Sequence, residues 1–433
     1  MSEDFSKKVW LVDVTMGYGH KRTAYSLRSL AFGGKIWHAD DYEGQPLNDK
    51  KAWLASLRTY EFFSRFQEFP LFGKLVFSFL DKFQRIAPFY PKRDLSKTNF
   101  QLQQLVFLIK KGFGKDLIEK LKNQPFPLVT TFFTPALMAQ IFNYPGEIYC
   151  VICDSDISRT WALLNSSQSR VKFFAPTLRV KERLKLYGVK EENIFVTGYP
   201  LPPENIGDEK MEILREDFCS RILNLDPDKI FFKKYRFFFE NSLHNLPLTP
   251  NHPFTLMFSV GGAGAQKEIG FLMIQSLKKE IETNKIKIIL SCGVKKEVKA
   301  YFERVIKRMN LTNFLGKNLE ILFAEKVEDY FDQFNLALRK TDVLWSKPSE
   351  LSFYAGLGLP FIIAPPLGSQ EEFNRDWLLK MGAGILQENP LYTHEWLFDF
   401  LKEGLLLKAA VSGFLEIEKL GFFNIKKVIN QNP

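Results

Sequence analysis

The chain has little cysteine, only Cys150, Cys153, Cys219 and Cys292 in 433 residues, which excludes a disulfide scaffold. Cys150 and Cys153 form a CxxC, but no second pair and no histidine cluster completes a metal site. Both fall inside EIYCVICD, where alternate side chains of a buried strand enter a core, so they read as reduced core cysteines of a cytoplasmic protein. Long apolar runs are absent too: no stretch approaches the roughly 20 residues that span a bilayer. The opening, MSEDFSKKVWLVDV, lacks signal-peptide architecture and runs directly into a strand-like segment. There is no internal repeat and no low-complexity tract. Disorder is excluded as well, because 45% of the residues are hydrophobic and charges of both signs are mixed along the chain.

The length suits two domains better than one core. A net charge of +10 points to nucleic acid, an anionic membrane face or a phosphorylated substrate, and composition alone does not choose. Phenylalanine is abundant at 43 copies.

Apolar, β-rich runs alternate with helical patterns through most of the chain. In the first half these are VWLVDV, KIWHAD, PLVTTFF, EIYCVICD, VKFFAP and NIFVTGYP. The alternation predicts βαβ units and a parallel sheet. Residues 50–122 differ, being long, aromatic and helical. GYPLPPENIGDE reads as a linker, and alternation resumes after it with FTLMFSV, KIKIILS, LEILFAE, DVLWS, PFIIAPP and AGILQ. The expected division is 1–203 and 204–433, each half doubly wound, with ligands at the carboxyl ends of the strands.

Two glycine loops stand at strand ends. In TMGYGHKRTA, Gly17 and Gly19 turn the chain off its strand into a helix expected from about Lys21, and His20 is presented there as a proton acceptor. A plain strand–helix turn with a surface histidine is the simpler alternative. A dinucleotide fingerprint with Asp40 or Asp41 as the ribose acid fits poorly, since Arg22 stands where the third glycine belongs. In FSVGGAGAQKEIG, residues Gly261, Gly262, Ala263, Gly264 and Ala265 offer backbone N–H groups to a phosphate at a helix start near Ala265. It is not a Walker loop, because no GK[ST] follows.

The stretch LWSKPSELSFYAGLGLPFIIAPPLGSQEEFNRDWLLKMGAGI, residues 344–385, resembles the donor-site signature of GT-B glycosyltransferases. It is similar to that of monogalactosyldiacylglycerol synthases, processive diacylglycerol glucosyltransferases and the N-acetylglucosaminyltransferase that completes lipid II. Lys347, Pro348, Gly358, Pro360, Gln370, Glu371, Asn374 and Gly382 carry the match. GYGHKRTA resembles that group's GGGHRxxA loop, TGYPLPP its linker, and LNLDPDK the helix end before its second sheet. The resemblance implies two Rossmann-like doubly wound domains facing a central cleft; an insertion at about 231–251 in the second goes beyond the group's pattern. It implies a metal-independent hexosyltransferase using a nucleotide-diphosphate sugar, a UDP-hexose, with no cofactor and no nucleic-acid partner.

By the same resemblance His20 is the base. Gly17, Gly19, Gly261, Pro348, Ser349 and Glu350 are expected on the donor-binding side, and the backbone N–H groups of Gly262–Ala265, helped by Lys347, suit the diphosphate. Gln370 and Glu371 suit the sugar hydroxyls, with Gly368, Ser369 and Asn374 also expected to bind the donor, and the loop around Glu325 to Val327 suits the base ring. Asp154 and Trp161 lie on the acceptor side. The simpler alternatives are a solvated lysine at 347 and an ordinary acidic helix start at Gln370 and Glu371. Three departures stand out. The segment between KP and GLP is two residues shorter than the group's. Phe353 occupies the ribose-binding glutamate's place, leaving Glu350, three residues earlier, to substitute or merely to favour the helix start. Ser158 replaces a histidine of TDxxxH. DSD at 154–156 invites a manganese reading, which the rest of the pattern disfavours.

Residues 60–93 set Phe62, Phe63, Phe66, Phe69 and Phe72 among Arg65, Lys74, Lys82, Arg85, Lys92 and Arg93. They read either as the core of a helical excursion or, favoured by the net charge, as a monotopic patch for an anionic membrane. FFKKYRFFF at 231–239 is a second such stretch. The lipid-acceptor expectation places the protein in the cytoplasm, peripheral on the inner membrane face. The alternatives are a soluble acceptor and a non-catalytic nucleotide-sugar-binding protein.

Overall fold

The computed structural model describes residues 8–55, 86–237, 249–260 and 264–431. Within the aromatic stretch 60–93, residues 60–85 lie outside the described residues, as do 238–239 of the second stretch and Gly261, Gly262 and Ala263. The chain forms two compact units: Met1–Leu201 with Leu367–Asn374 and Leu420–Pro433, and Pro202–Pro366 with Arg375–Lys419. The main division falls two residues before the expected boundary at 203/204. The return of 367–374 and 420–433 to the first unit has no signature in periodicity.

The first unit is built on β1 (Val9–Asp13), β2 (Ala31–His38), β3 (Leu128–Thr130), β4 (Ile148–Val151), β5 (Lys172–Ala175) and β6 (Ile194–Val196). They form one parallel sheet in the order β2-β1-β3-β4-β5-β6. Its main helices are α1 (Tyr18–Ser26), α2 (Phe100–Lys110), α3 (Lys115–Lys122), α4 (Phe133–Ile141) and α5 (Leu178–Leu186). All five residues of β1 are buried, because both sheet faces are covered. Trp10 and Val12 pack with Leu102, Val106, Leu117 and Leu137 of α2, α3 and α4. Val9 and Leu11 pack with Ala24 of α1, with Leu27 just after it, and with Phe422, Ile425 and Ile429 near the C-terminus. Each fully buried side chain of this size contributes about 1.5–3 kcal/mol.

The second unit holds β7 (Thr255–Ser259), β8 (Lys287–Gly293), β9 (Leu319–Phe323), β10 (Val343–Ser346), β11 (Phe361–Ile363) and β12 (Gly384–Leu386). The order is β12-β11-β10-β7-β8-β9, again all parallel. Its helices include α6 (Glu212–Leu225), α7 (Lys267–Ser276), α8 (Lys296–Arg308) and α9 (Val327–Leu338). The helix α10 (Ser369–Lys380) begins among residues of the first unit and ends in the second. In each sheet the strand order reverses at one point, between β1 and β3 and between β7 and β10. Such switch points open a crevice at the carboxyl ends of the strands.

Three local expectations are corrected. α1 starts at Tyr18, not Lys21, so His20 lies in its first turn. Gly17 is the residue before the helix and has φ 84°, which explains one glycine, whereas Gly19 is helical. β2 begins at Ala31, four residues before KIWHAD, because it pairs with β1 from Val9 onward. The helix after the second glycine loop begins at Lys267, not near Ala265, behind Gln266 in a left-handed conformation.

Candidate functional site

In the first unit, β1 ends on Asp13 and the chain turns through Thr15–Gly17. Gly17 N–H donates to Thr15 O at 2.9 Å, and Thr15 N–H donates to the Asp40 carboxylate at 3.0–3.1 Å. Asp40 is therefore engaged in holding the turn. His20 reaches over the β1/β3 switch point, with Nδ1 2.7 Å from the carbonyl of Thr131, just beyond β3. A carbonyl only accepts, so Nδ1 carries the proton and Nε2 of the neutral ring is the basic nitrogen. Phe132 packs edge-on at 4.8 Å between ring centroids, Trp161 lies at 6.1 Å, and the Cys153 sulfur is 3.4 Å from Nδ1. Trp161 is buried and also packs on Phe132 and Phe133, so it braces the imidazole from one side.

Asp154 and Asn374 come together in this unit. The Asn374 side chain accepts from Ser155 N–H at 3.0 Å and donates to Asp154 Oδ1 at 3.3 Å. Glu371 accepts from Leu367 N–H at 2.7 Å and so closes the loop through Gly368 and Ser369 that starts α10. Gln370 lies in the first turn of the same helix. Asp156, the second acid of DSD, is taken up by Arg183 at 2.8 and 2.9 Å and by Arg179 at 2.9 Å. Among the described residues no group of three or more His, Cys, Asp or Glu side chains is arranged to hold a metal ion. The four cysteines are buried and free. Burial pushes the Cys150 thiol well above its ordinary value and that of Cys292 up to about 12.

In the second unit the β7/β10 switch point is closed by Ser346 Oγ donating to Ser259 O at 2.8 Å. Gly264 has φ 69°, and Gln266 Nε2 donates to Pro365 O at 2.7 Å, holding the described end of the second glycine loop. Ala265 lies in the turn between Gly264 and that anchor. Beyond β10, Lys347 and Pro348 lead to Ser349, whose hydroxyl caps a 3₁₀ helix spanning Glu350–Leu357 by accepting from Leu351 N–H at 3.4 Å. Three residues make one turn of such a helix, so Glu350 and Phe353 stand on the same face. Both are buried: Phe353 packs on Trp377 at 4.8 Å, and Glu350 is 8% exposed. Gly358 ends the turn with φ 69°, and a Cβ there would meet the Phe218 ring at 2.3 Å. Arg221 of α6 fixes the same corner by donating to Leu357 O at 2.6 Å. Glu325 forms an exposed ion pair with Lys296 at 2.9 Å, and Lys326 precedes α9.

Sequence reasoning passed over Asp13 and His38. They are register partners on β1 and β2, and His38 Nδ1 donates to Asp13 Oδ1 at 2.5 Å. Asp13 is 1% and His38 31% exposed. Burial pushes the Asp13 carboxyl up, against the lowering effect of the His38 hydrogen bond. That hydrogen bond, outweighing burial, raises the His38 imidazole. The available signal was an aspartate closing the otherwise apolar VWLVD.

Two doubly wound units with these strand orders, in one chain, are the elements of a GT-B fold. The chain resembles the glycolipid and lipid II glycosyltransferase group of that class. It is 23% identical over 272 residues to the processive diacylglycerol β-glucosyltransferase of Bacillus subtilis, a match covering 61% of this chain and 58% of that relative. A family model described as a domain of unknown function, DUF6938, matches residues 248–424. Among solved structures, the UDP-GlcNAc 2-epimerase of Neisseria meningitidis, bound to UDP-GlcNAc, aligns with 14% identity, 98% of both chains and a TM-score of 0.48. MurG of Acinetobacter baumannii aligns with 13% identity, 98% of this chain, 99% of that one and a TM-score of 0.48.

Proposed function

We propose that this protein is a glycosyltransferase that moves a hexose from a UDP-sugar to a lipid or cell-envelope acceptor. The observation that carries the reading is His20: a helix-borne imidazole over a switch point, whose Nδ1–H donates to Thr131 O, a tautomer in which Nε2 is the basic nitrogen. Transfer requires an acceptor hydroxyl to lose its proton while the bond from the anomeric carbon to the diphosphate breaks. Lys347 and the N–H groups of the second glycine loop are assigned to the departing diphosphate. Gln370 and Glu371 are assigned to the sugar hydroxyls, and Glu350, sharing a helix face with Phe353, to the ribose. Similarity to a diacylglycerol glucosyltransferase supports sugar transfer as the reaction class.

The membrane part of the reading rests on charge and exposed rings. Phe100, Phe107 and Leu108 of α2 are exposed beside Lys110 and Lys111, and no helix among the described residues is long and apolar enough to cross a membrane. Rings at the acyl boundary and lysines at headgroups, each worth about 1 kcal/mol, suit an anionic surface. The test is release of UDP from UDP-glucose, UDP-galactose and UDP-GlcNAc, with and without bacterial lipid extract. Lipid-stimulated release supports the lipid acceptor, and stimulation only by soluble extract replaces it with a soluble one. Binding of UDP-sugar without release under any condition makes the protein a non-catalytic binder. Co-sedimentation with phosphatidylglycerol vesicles should fall with ionic strength.

A further inference from the structure

We propose that residues 229–237, at the start of the insertion in the second unit, form a contact for an anionic lipid surface. The proposal extends the membrane part of the reading above to the second unit and does not depend on which reaction is catalysed. Its basis is the way the fold divides the stretch FFKKYRFFF. The Asp226 carboxylate, 8% exposed, accepts from the N–H groups of Phe231 and Phe232 at 3.2 and 2.7 Å. It thereby fixes a short helix, Ile230–Lys234. Phe231 and Phe232 are half-buried against the core of the second unit, so these two rings serve as anchors. The groups facing water are different ones. Ile230 is 58% and Phe237 83% exposed, and Lys229, Lys233, Lys234 and Arg236 are exposed around them. Ile230, Lys233 and Lys234 stand three and four positions apart, on one helix face.

Residues 228–237 hold four basic side chains and one acid, Asp228. Among the described residues none of Lys229, Lys233 and Lys234 forms an ion pair, and Lys234 lies over the Tyr235 ring at 5.4 Å. By contrast Lys278, Lys287, Lys296 and Lys299 of the same unit each meet a glutamate. Unpaired cations grouped around exposed apolar side chains are unfavourable in water, because like charges repel and apolar surface stays wet. An anionic bilayer relieves both. Its headgroups supply the countercharge, and its acyl boundary takes up the apolar side chains. A nucleic acid answers the charge alone, since Ile230 offers no ring for a base to stack on.

The test is co-sedimentation of the intact protein with two kinds of vesicle, at low and high salt. One is phosphatidylcholine alone, the other phosphatidylcholine and phosphatidylglycerol in equal parts. Lys229→Gln, Lys233→Gln and Lys234→Gln together should weaken binding to the anionic vesicles on the order of 10–100-fold. They should also flatten its salt dependence. Ile230→Ser with Phe237→Ser should weaken it at every salt concentration. Arg304→Gln, Lys307→Gln and Arg308→Gln remove the same charge from α8 and should change it little. Circular dichroism checks that each variant folds. Because the four native cysteines are buried, Phe237→Cys can carry a fluorophore at that position alone. Its emission should rise and shift to the blue on anionic vesicles, and an unchanged spectrum overturns the proposal. So does equal binding by wild type and the folded insertion variants, or an equal loss in the α8 variant, while the membrane reading then stands on α2. If wild type ignores anionic vesicles at low salt, both fall. If it binds a single-stranded oligonucleotide and no vesicle, the charge serves nucleic acid and the proposal is overturned. The readout is binding, so loss of the glycosyl-transfer reading would leave the result unchanged.

Discussion

The two units share an architecture and differ in what they place at the strand ends. Each is a six-stranded parallel sheet with one reversal of strand order. In the first unit two imidazoles stand there, His20 tied to a carbonyl and His38 to a carboxylate. In the second, the described residues at the strand ends include glycine, serine, lysine and a buried glutamate, and no histidine. Its histidines among the described residues lie elsewhere: His252 is buried against Asp342, which precedes β10, and His394 lies on the surface beside Ser276. The topology is thus neutral as to chemistry. Groups that exchange protons near neutral pH suit an acceptor hydroxyl. Fixed N–H dipoles and a lysine suit the diphosphate of a nucleotide sugar, whose two esterified phosphates keep their charge near neutrality.

That contrast breaks most visibly at one residue from each side. His20→Ala should lower turnover on the order of 10²–10⁴-fold with nucleotide affinity nearly intact. Lys347→Ala should weaken UDP by roughly 1.5–3 kcal/mol and leave the pH profile in place. Rate assays paired with calorimetry check both. Equal loss of affinity in the two variants would end the division of labour.

The loop that starts α10 gives the next largest effect. Gln370→Ala and Glu371→Ala should each weaken a UDP-sugar by about 1.5–3 kcal/mol and free UDP much less. Because Glu371 also accepts from Leu367 N–H, its variant should loosen that loop as well. Equal losses for both ligands, measured by titration calorimetry, would place these residues away from the sugar.

Glu350 and Phe353 separate binding from packing on one helix face. Glu350→Gln should raise the Kd for UDP several-fold. Phe353→Leu should leave that Kd alone and cost about 1 kcal/mol of stability through its lost contact with Trp377. Denaturant melts with and without UDP distinguish the outcomes, and an unchanged Kd in Glu350→Gln would reduce Glu350 to a helix-start residue.

The smallest effect is a pH dependence of stability. His38 is raised by its bond to Asp13, so its contribution is complete below the ordinary imidazole value and is lost as pH rises through the folded value. With the ring a third exposed, the loss should be no more than about 1 kcal/mol. Wild type should therefore lose stability relative to His38→Gln between pH 6 and a pH above the folded value. A difference that grows with pH would reverse the sign.

The residues themselves determined much of this protein. Apolar runs with period-two and helical alternation require two parallel sheets covered on both faces, and glycine at 17 and 358 marks where the backbone adopts positive φ. The segments 344–385 and 15–24 carry the resemblance by local pattern alone. Tertiary structure decided the rest, because it concerns pairs far apart in the chain. Register brought His38 beside Asp13, 25 positions away, and strand order brought His20 to Thr131, 111 positions away. The 3₁₀ geometry set Glu350 and Phe353 on one face, and only packing showed that the ring at 353 fills core against Trp377. A sequence lists which groups are available. Which of them meet is fixed by sheet register and burial, and these are properties of the whole chain.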